Sequence, residues 1–483
     1  MKNDQNNRVR SGLAWSAIER FASQGVQFIV SIIIARMLMP SDYGVVAMAM
    51  ILLVILQVIN ESGFGEALMQ KLDRDDLDIS TIFVFNLAIG VFLYSLVYFS
   101  APLMSDFFQE PQLIFINRLL GLTLIINSFV VVQRTLLFIR VDMKTLAKAS
   151  VTGAVVSGVV SITMAYKGFG VMALVAQSLT YNMVNVVIIC FCVKFYPSLK
   201  FSYKRFKPLF NYTYKLMGSR LLNVIYTEGY PMIIGKCYSS TQLGFFNRSL
   251  SFQSISSRSI TQIIQRVSTP LLCEAQNNKN ELGQVLIRFI RLSMIFVLPI
   301  SIGLFLLAEP LIITLLTEKW LYSAYILKMT SPIGVFYVFN TFNRNLFNAT
   351  GRTDWAFQSE LIKKIIFSLI LFGTLFISFE ALILGLIIIE FFDFVISAHY
   401  TKLQIGLTFW QQIKSVKDIF FASMIMTAVI IVTTFFINDS LLKLLTGSFA
   451  GFLSYFAICF YYNIQNVRIL VKDLIFKLIK KIQ

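Results

Sequence analysis

Charged residues are scarce in this chain of 483 residues. Only 14% of the residues are charged, whereas 57% are hydrophobic and the mean hydropathy is +0.72. Soluble domains contain about 25% charged residues. Segments such as 13–37 and 362–379 carry few or no charges over lengths that can cross a bilayer. The composition therefore predicts a polytopic integral membrane protein and argues against a soluble domain.

The apolar segments also lack the short polar–apolar alternation that is typical of membrane β-strands. A helix satisfies its backbone hydrogen bonds within one segment, as the bilayer interior requires. We therefore predict an all-α membrane protein with about 14 transmembrane helices. Two pseudo-symmetric six-helix lobes occupy residues 1–205 and 206–403, and two further helices with a basic cytoplasmic tail occupy 404–483.

Fourteen segments of the sequence are predicted to span the membrane. They are 13–37, 43–66, 79–101, 113–139, 146–166, 170–196, 211–236, 244–272, 287–308, 322–349, 356–378, 380–402, 417–437 and 441–464. Residues 310–320 are too short to cross a bilayer and are predicted to form an interfacial helix.

Catalytic and metal-binding signatures are missing as well. The chain has one histidine, and Cys190-x-Cys192 lies in an apolar segment without a second cysteine pair, so we expect it to pack and not to bind a metal. The sequence contains no phosphate-binding loop, nucleophilic serine motif or zinc-protease motif. We therefore expect no enzymatic activity and neither a metal nor a cofactor. We expect a transporter that is driven by an ion gradient or that moves its substrate down the substrate's own gradient.

The net charge of +17 does not indicate a nucleic-acid partner, because the basic residues are scattered over many short loops. Lys and Arg are concentrated in the segments that lie inside when the N-terminus is cytoplasmic, as the positive-inside rule requires. Both termini are therefore predicted to be cytoplasmic.

An internal repeat relates the two halves of the chain. The segment IIARMLMPSDYG (33–44) returns as IIGKCYSSTQLG (233–244), offset by 200 residues without a gap. Arg20 and Arg220 are related by the same offset. Such a repeat predicts two structurally similar halves.

Arginines within the predicted membrane spans are the residues that indicate most about function. They are Arg20, Arg134, Arg220, Arg258 and Arg344. Each could be neutralised by a buried carboxylate, with Glu19, Glu61, Glu66 and Glu228 available. As a set in both halves they favour a cationic cavity for an anionic lipid headgroup, because guanidinium binds phosphate in a fixed bidentate geometry.

Two carboxylates lie in the predicted span 380–402. Glu390 and Asp393 are three residues apart and therefore share a helix face. They could bind a proton or a sodium ion that drives transport, or they could pair with a basic residue of a neighbouring helix.

Several motifs resemble bacterial polysaccharide-biosynthesis flippases of the O-antigen and colanic-acid type, within the multidrug/oligosaccharidyl-lipid/polysaccharide exporter superfamily. The motifs are ARMLMPSDYGVVAMA (35–49), GFGEAL (63–68), QR (133–134), GFGVMAL (168–174) and LGFFNR (243–248). The resemblance covers most of the chain and is weak over the last two predicted helices.

The resemblance implies a flippase of the bacterial inner membrane that moves undecaprenyl-diphosphate-linked oligosaccharide to the outer leaflet by alternating access. Membrane lipids and polysaccharide polymerase machinery are the implied partners. Related lipid II flippases use cavity arginines on the helices equivalent to those of Arg20 and Arg258. The same role for Arg220 is inferred from the internal repeat alone. Two alternatives stay open: a multidrug or organic-cation exporter of the same superfamily, and a non-transporting scaffold for glycan assembly.

Overall fold

The computed structural model describes residues 2–61, 63–71, 73–193 and 198–464, and these residues are helical with no β-strand. The first helices are α1 (Lys2–Met37), α2 (Pro40–Glu61), α3 (Phe64–Gln70), α4 (Asp76–Phe108), α5 (Gln112–Ser128), α6 (Val131–Ile139), α7 (Met143–Tyr166), α8 (Val171–Val193) and α9 (Tyr203–Cys237). They are followed by α10 (Ser240–Glu274), α11 (Lys279–Leu306), α12 (Ala308–Leu316), α13 (Leu321–Thr330), α14 (Ile333–Ala349), α15 (Thr353–Leu375), α16 (Phe379–Ile405), α17 (Phe409–Lys414), α18 (Lys417–Phe435) and α19 (Ser440–Tyr461).

The all-α membrane fold predicted from the sequence is confirmed. Within the described ranges, eight helices are long and apolar enough to cross a bilayer, and the bent pair α5–α6 would make nine. Four further helices of comparable length, α1, α9, α10 and α15, contain the arginines and lysines that lower their hydropathy. This arrangement is consistent with 14 spans, and that total stays a prediction.

Two segments predicted as single spans are broken. Residues 113–139 form α5 and α6, which are bent by 42° at a short break. Residues 322–349 form α13 and α14, which are interrupted at Ser331–Pro332. Proline at this position has no N–H to donate, and its ring would clash with the preceding turn of a continuous helix. The prediction of one continuous helix over 322–349 is therefore wrong. The segment 310–320 overlaps the short helix α12, which is too short to cross a bilayer.

The chain divides into two compact units, residues 1–244 (unit 1) and 245–483 (unit 2). In unit 1, Phe64, Ile82 and Leu136 belong to one buried cluster. In unit 2, Met294 and Phe342 belong to a larger buried cluster. The sequence-based lobe limits of 205 and 403 stay a prediction.

The two repeated segments meet inside unit 1 at their matching glycines. A Cβ atom on Gly44 would lie 1.6 Å from the carbonyl oxygen of Ser240, and one on Gly244 would lie 1.9 Å from the carbonyl oxygen of Pro40. The contact is reciprocal, because residues 40 and 44 correspond to 240 and 244 in the repeat. Only glycine permits this approach, so the N-terminal turns of α2 and α10 cross backbone against backbone.

We predict that Gly44→Ala and Gly244→Ala each destabilise the protein by about 3 kcal/mol or more, because a backbone carbonyl must move to admit the methyl group. Gly303→Ala in α11 is the matched control, since nothing lies within 4 Å of its added Cβ. Thermal unfolding of the detergent-solubilised protein measures the difference. Equal stability of Gly44→Ala and Gly303→Ala would contradict the crossing.

Candidate functional site: a buried charge cluster and a polar pocket

Five charged side chains from three helices of unit 2 form one cluster. They are Arg344 of α14, Glu360 and Lys363 of α15, and Glu390 and Asp393 of α16. Lys363 Nζ lies 2.8 Å from Asp393 Oδ2 and 3.2 Å from Glu390 Oε1. Arg344 pairs with both Glu360 and Asp393. These ion pairs connect α14, α15 and α16.

The cluster contains three carboxylates and two basic groups, so its formal charge is −1. Asp393 is 1% exposed. Its Oδ1 and the Oδ1 of Asn340 are buried and have no hydrogen-bond donor among the described residues. The Asn340 amide donates to Glu390 Oε2 at 3.0 Å. An excess negative charge beside unfilled acceptors can hold one proton or one small cation.

The structure therefore brings Glu390, Asp393 and Arg344 together, in agreement with the alternative that the two carboxylates pair with basic residues of neighbouring helices. Sequence reasoning did not single out Glu360 and Lys363. The available signal was their spacing, because charged residues three apart in an apolar span share one helix face. The substrate-binding role of Arg344 and the cation-coupling role of the carboxylates stay predictions.

The other predicted arginines have different surroundings. Arg220 of α9 donates to Glu66 Oε1 of α3 at 2.6 Å, and both side chains are partly exposed. Arg20 is half-buried on α1. Arg258 of α10 is exposed, and its guanidinium carbon lies 5.8 Å from the ring centroid of Tyr337. Among the described residues, no carboxylate forms an ion pair with Arg258.

Arg134 of α6 lines a pocket of about 370 Å³ inside unit 1. The lining is mainly polar and comprises Glu19, Gln57, Asn127, Arg134, Phe138, Leu146, Ser150, Tyr181, Asn182, Asn185 and Ile189. Ser150 Oγ donates to Glu19 Oε1 at 3.0 Å. The sequence pointed to Arg134 and Glu19 but not to the amides of α8. The run Tyr181-Asn182-x-x-Asn185 in an apolar helix was the signal available for them.

We predict that Lys363→Met lowers the free energy of unfolding by about 3–5 kcal/mol, because it leaves two carboxylates of the cluster short of a partner. Lys328→Met is the matched control. Its ammonium lies 3.4 Å from Glu309 in an exposed pair, whose loss should cost less than about 1 kcal/mol. Thermal unfolding in detergent compares the two variants, and equal stability would show that the cluster is not held by its charges.

Comparison with known proteins places the chain among polysaccharide-biosynthesis proteins. The polysaccharide biosynthesis protein family model matches residues 33–325, more than half of the chain. The teichuronic acid biosynthesis protein TuaB of Bacillus subtilis is 24% identical over 76% of this chain and 76% of its own. The succinoglycan biosynthesis transport protein ExoT of Rhizobium meliloti is 24% identical over 65% of this chain and 64% of its own.

Solved structures share the fold at low sequence identity. The lipid II flippase MurJ in an inward closed conformation is 14% identical, with a TM-score of 0.75 over 94% of this chain and 99% of its own. An inward-facing multidrug resistance MATE transporter is 13% identical, with a TM-score of 0.65 over 81% of this chain and 98% of its own. The chain is a multi-pass membrane protein with this fold, and it belongs to the polysaccharide biosynthesis protein family.

Proposed function

We propose that this protein is a transporter, not an enzyme, that flips undecaprenyl-diphosphate-linked oligosaccharide across the bacterial inner membrane for surface polysaccharide biosynthesis. Membership of the family, on a fold that resembles MurJ, is the observation that carries the proposal. A lipid-linked glycan joins a membrane-soluble tail to a polar head, and only the head needs a path through the protein.

The diphosphate is proposed to dock on Arg20, Arg220 and Arg258. The exposed guanidinium of Arg258, with no ion pair among the described residues, supports this assignment in unit 2. Arg220 shares its charge with Glu66, so a diphosphate would have to compete with that carboxylate. Guanidinium groups suit this role because their donors match the oxygens of a phosphate in pairs.

Alternating access is the proposed route. The glycan head occupies a cationic central cavity while the prenyl tail stays in lipid, and the two lobes rock to expose the cavity to the other side. The proton or sodium ion that couples this motion is assigned to Glu390 and Asp393, whose cluster has an excess negative charge. Flipping that responds to neither a proton nor a sodium gradient would contradict the coupling.

A multidrug exporter is the second candidate, because MATE transporters share the fold. An organic cation favours aromatic and acidic surroundings, whereas the predicted cavity residues of this chain are arginines. The charge of these side chains therefore favours the anionic substrate. The third candidate, a scaffold for glycan assembly, predicts that the polar helix faces bind another protein, such as the polymerase machinery.

We predict that the double variant Arg20→Ala/Arg258→Ala fails to restore surface polysaccharide in a flippase-null strain, because the diphosphate loses two of its guanidinium partners. Immunoblotting of membranes should find the variant at the wild-type level. Surface polysaccharide is measured by gel staining of cell extracts.

The matched control is Arg140→Ala/Arg352→Ala, which removes two exposed arginines, one at the end of α6 and one at the start of α15. This control should complement the null strain fully. Normal polysaccharide in the Arg20/Arg258 variant would remove the cavity arginines from the mechanism.

A further inference from the structure

The pocket of unit 1 differs from the proposed diphosphate site in its charge. It holds one carboxylate, Glu19, and one guanidinium, Arg134. Neither is in an ion pair with the other, because Arg134 forms no ion pair among the described residues. The two opposite charges therefore line the same space without cancelling each other by contact, and the pocket as a whole is formally neutral.

Most of the other polar lining groups are amides with acceptors to spare. Asn182 and Asn185 donate from Nδ2 to carbonyl oxygens one turn earlier on α8, at 2.8 and 3.0 Å. Among the described residues, none donates a hydrogen bond to their Oδ1 atoms. Tyr181 adds an aromatic ring and a phenolic hydroxyl on the same helix. The pocket lining thus combines the amide oxygen acceptors of Asn182 and Asn185 with the guanidinium donors of Arg134 and the ring of Tyr181.

We propose that this pocket binds one sugar residue of the cargo, a neutral polyhydroxylated group, and that Arg134 contacts this sugar and not the diphosphate. The inference rests on the proposed function. Neighbouring sugar hydroxyls both donate and accept, so one residue can donate to Glu19 and accept from Arg134. A volume of about 370 Å³ falls within the range of about 300–1,000 Å³ that is usual for small-ligand sites.

Two other classes of ligand fit the pocket less well. A diphosphate would be repelled by Glu19, whose charge is poorly screened within a membrane protein. A bare cation would be repelled by Arg134, and the described residues contain no group of three His, Cys, Asp or Glu side chains that could hold a metal. A neutral ligand with many hydroxyls satisfies both charged groups at once.

The position of the pocket agrees with a loading role. Gln57 lies near the end of α2, Phe138 near the end of α6 and Ser150 near the start of α7. These are the helix ends that the positive-inside rule predicts to be cytoplasmic. The sugar would therefore be recognised on the side of the membrane where the lipid-linked glycan is expected to enter.

Binding of two lipids to the purified full-length protein tests the proposal. The probes are the lipid-linked oligosaccharide extracted from the native host and undecaprenyl diphosphate without sugar, and the readout is native mass spectrometry. Arg134→Gln and Glu19→Gln should each weaken binding of the glycan-linked probe about tenfold, as expected for a lost charged hydrogen bond, and leave undecaprenyl diphosphate binding unchanged. In the Glu19→Gln variant, the side-chain carbonyl oxygen can still accept the hydrogen bond from the Ser150 hydroxyl.

Arg140→Gln is the matched control, because it removes an exposed arginine beyond the pocket in the same segment. It should bind both probes as the wild type does. Tyr181→Phe, which removes a single hydroxyl, is the second pocket variant if Arg134→Gln does not fold, and it should weaken only the glycan-linked probe.

Equal loss of both probes in the pocket variants would assign the pocket to the diphosphate, and no loss of either would remove it from cargo binding. Both results overturn the sugar-site inference while the proposed function stands. A wild-type protein that binds neither probe would instead overturn the proposed function, and the sugar site with it.

Discussion

The cost of placing a charge in the membrane governs where this protein keeps its ionisable residues. An uncompensated buried charge costs several kcal/mol, so it must find a partner, a polar cavity or water. In unit 2, Arg344 and Lys363 are both paired with Asp393, which is almost fully buried. In unit 1, Glu19 and Arg134 face a polar pocket instead. Paired charges hold helices together, whereas unpaired charges remain available to a ligand.

The internal repeat has a physical consequence at Gly44 and Gly244. Their missing side chains let the first turns of α2 and α10 meet backbone to backbone, in a reciprocal contact within unit 1. The turn before α2 is closed by Asp42, whose carboxylate accepts the N–H of Met39 at 2.9 Å. The motif over residues 35–49, which resembles the family's sequences, therefore also contains the glycine at which two helices cross closely.

The fold could be predicted from composition, because long apolar segments leave few alternatives in a bilayer. Helix breaks were harder to predict, since the break between α5 and α6 contains no proline. For the candidate site, the sequence pointed to Glu390, Asp393 and Arg344 but could not show that they meet. Contacts between helices depend on packing across long sequence separations, such as Lys363 to Asp393. The amides of α8 could not be predicted as site residues, because a neutral polar side chain can also satisfy its donor within its own helix, as Asn182 and Asn185 do.

Reconstitution tests the central claim most directly. The purified protein would be placed in proteoliposomes that carry lipid-linked oligosaccharide in the inner leaflet, and a lectin added outside would report glycan arriving at the outer leaflet. Flipping by this protein predicts lectin binding that rises with time, well above that of protein-free liposomes. Equal lectin binding in both preparations, with folded protein present in the membrane, would contradict the account.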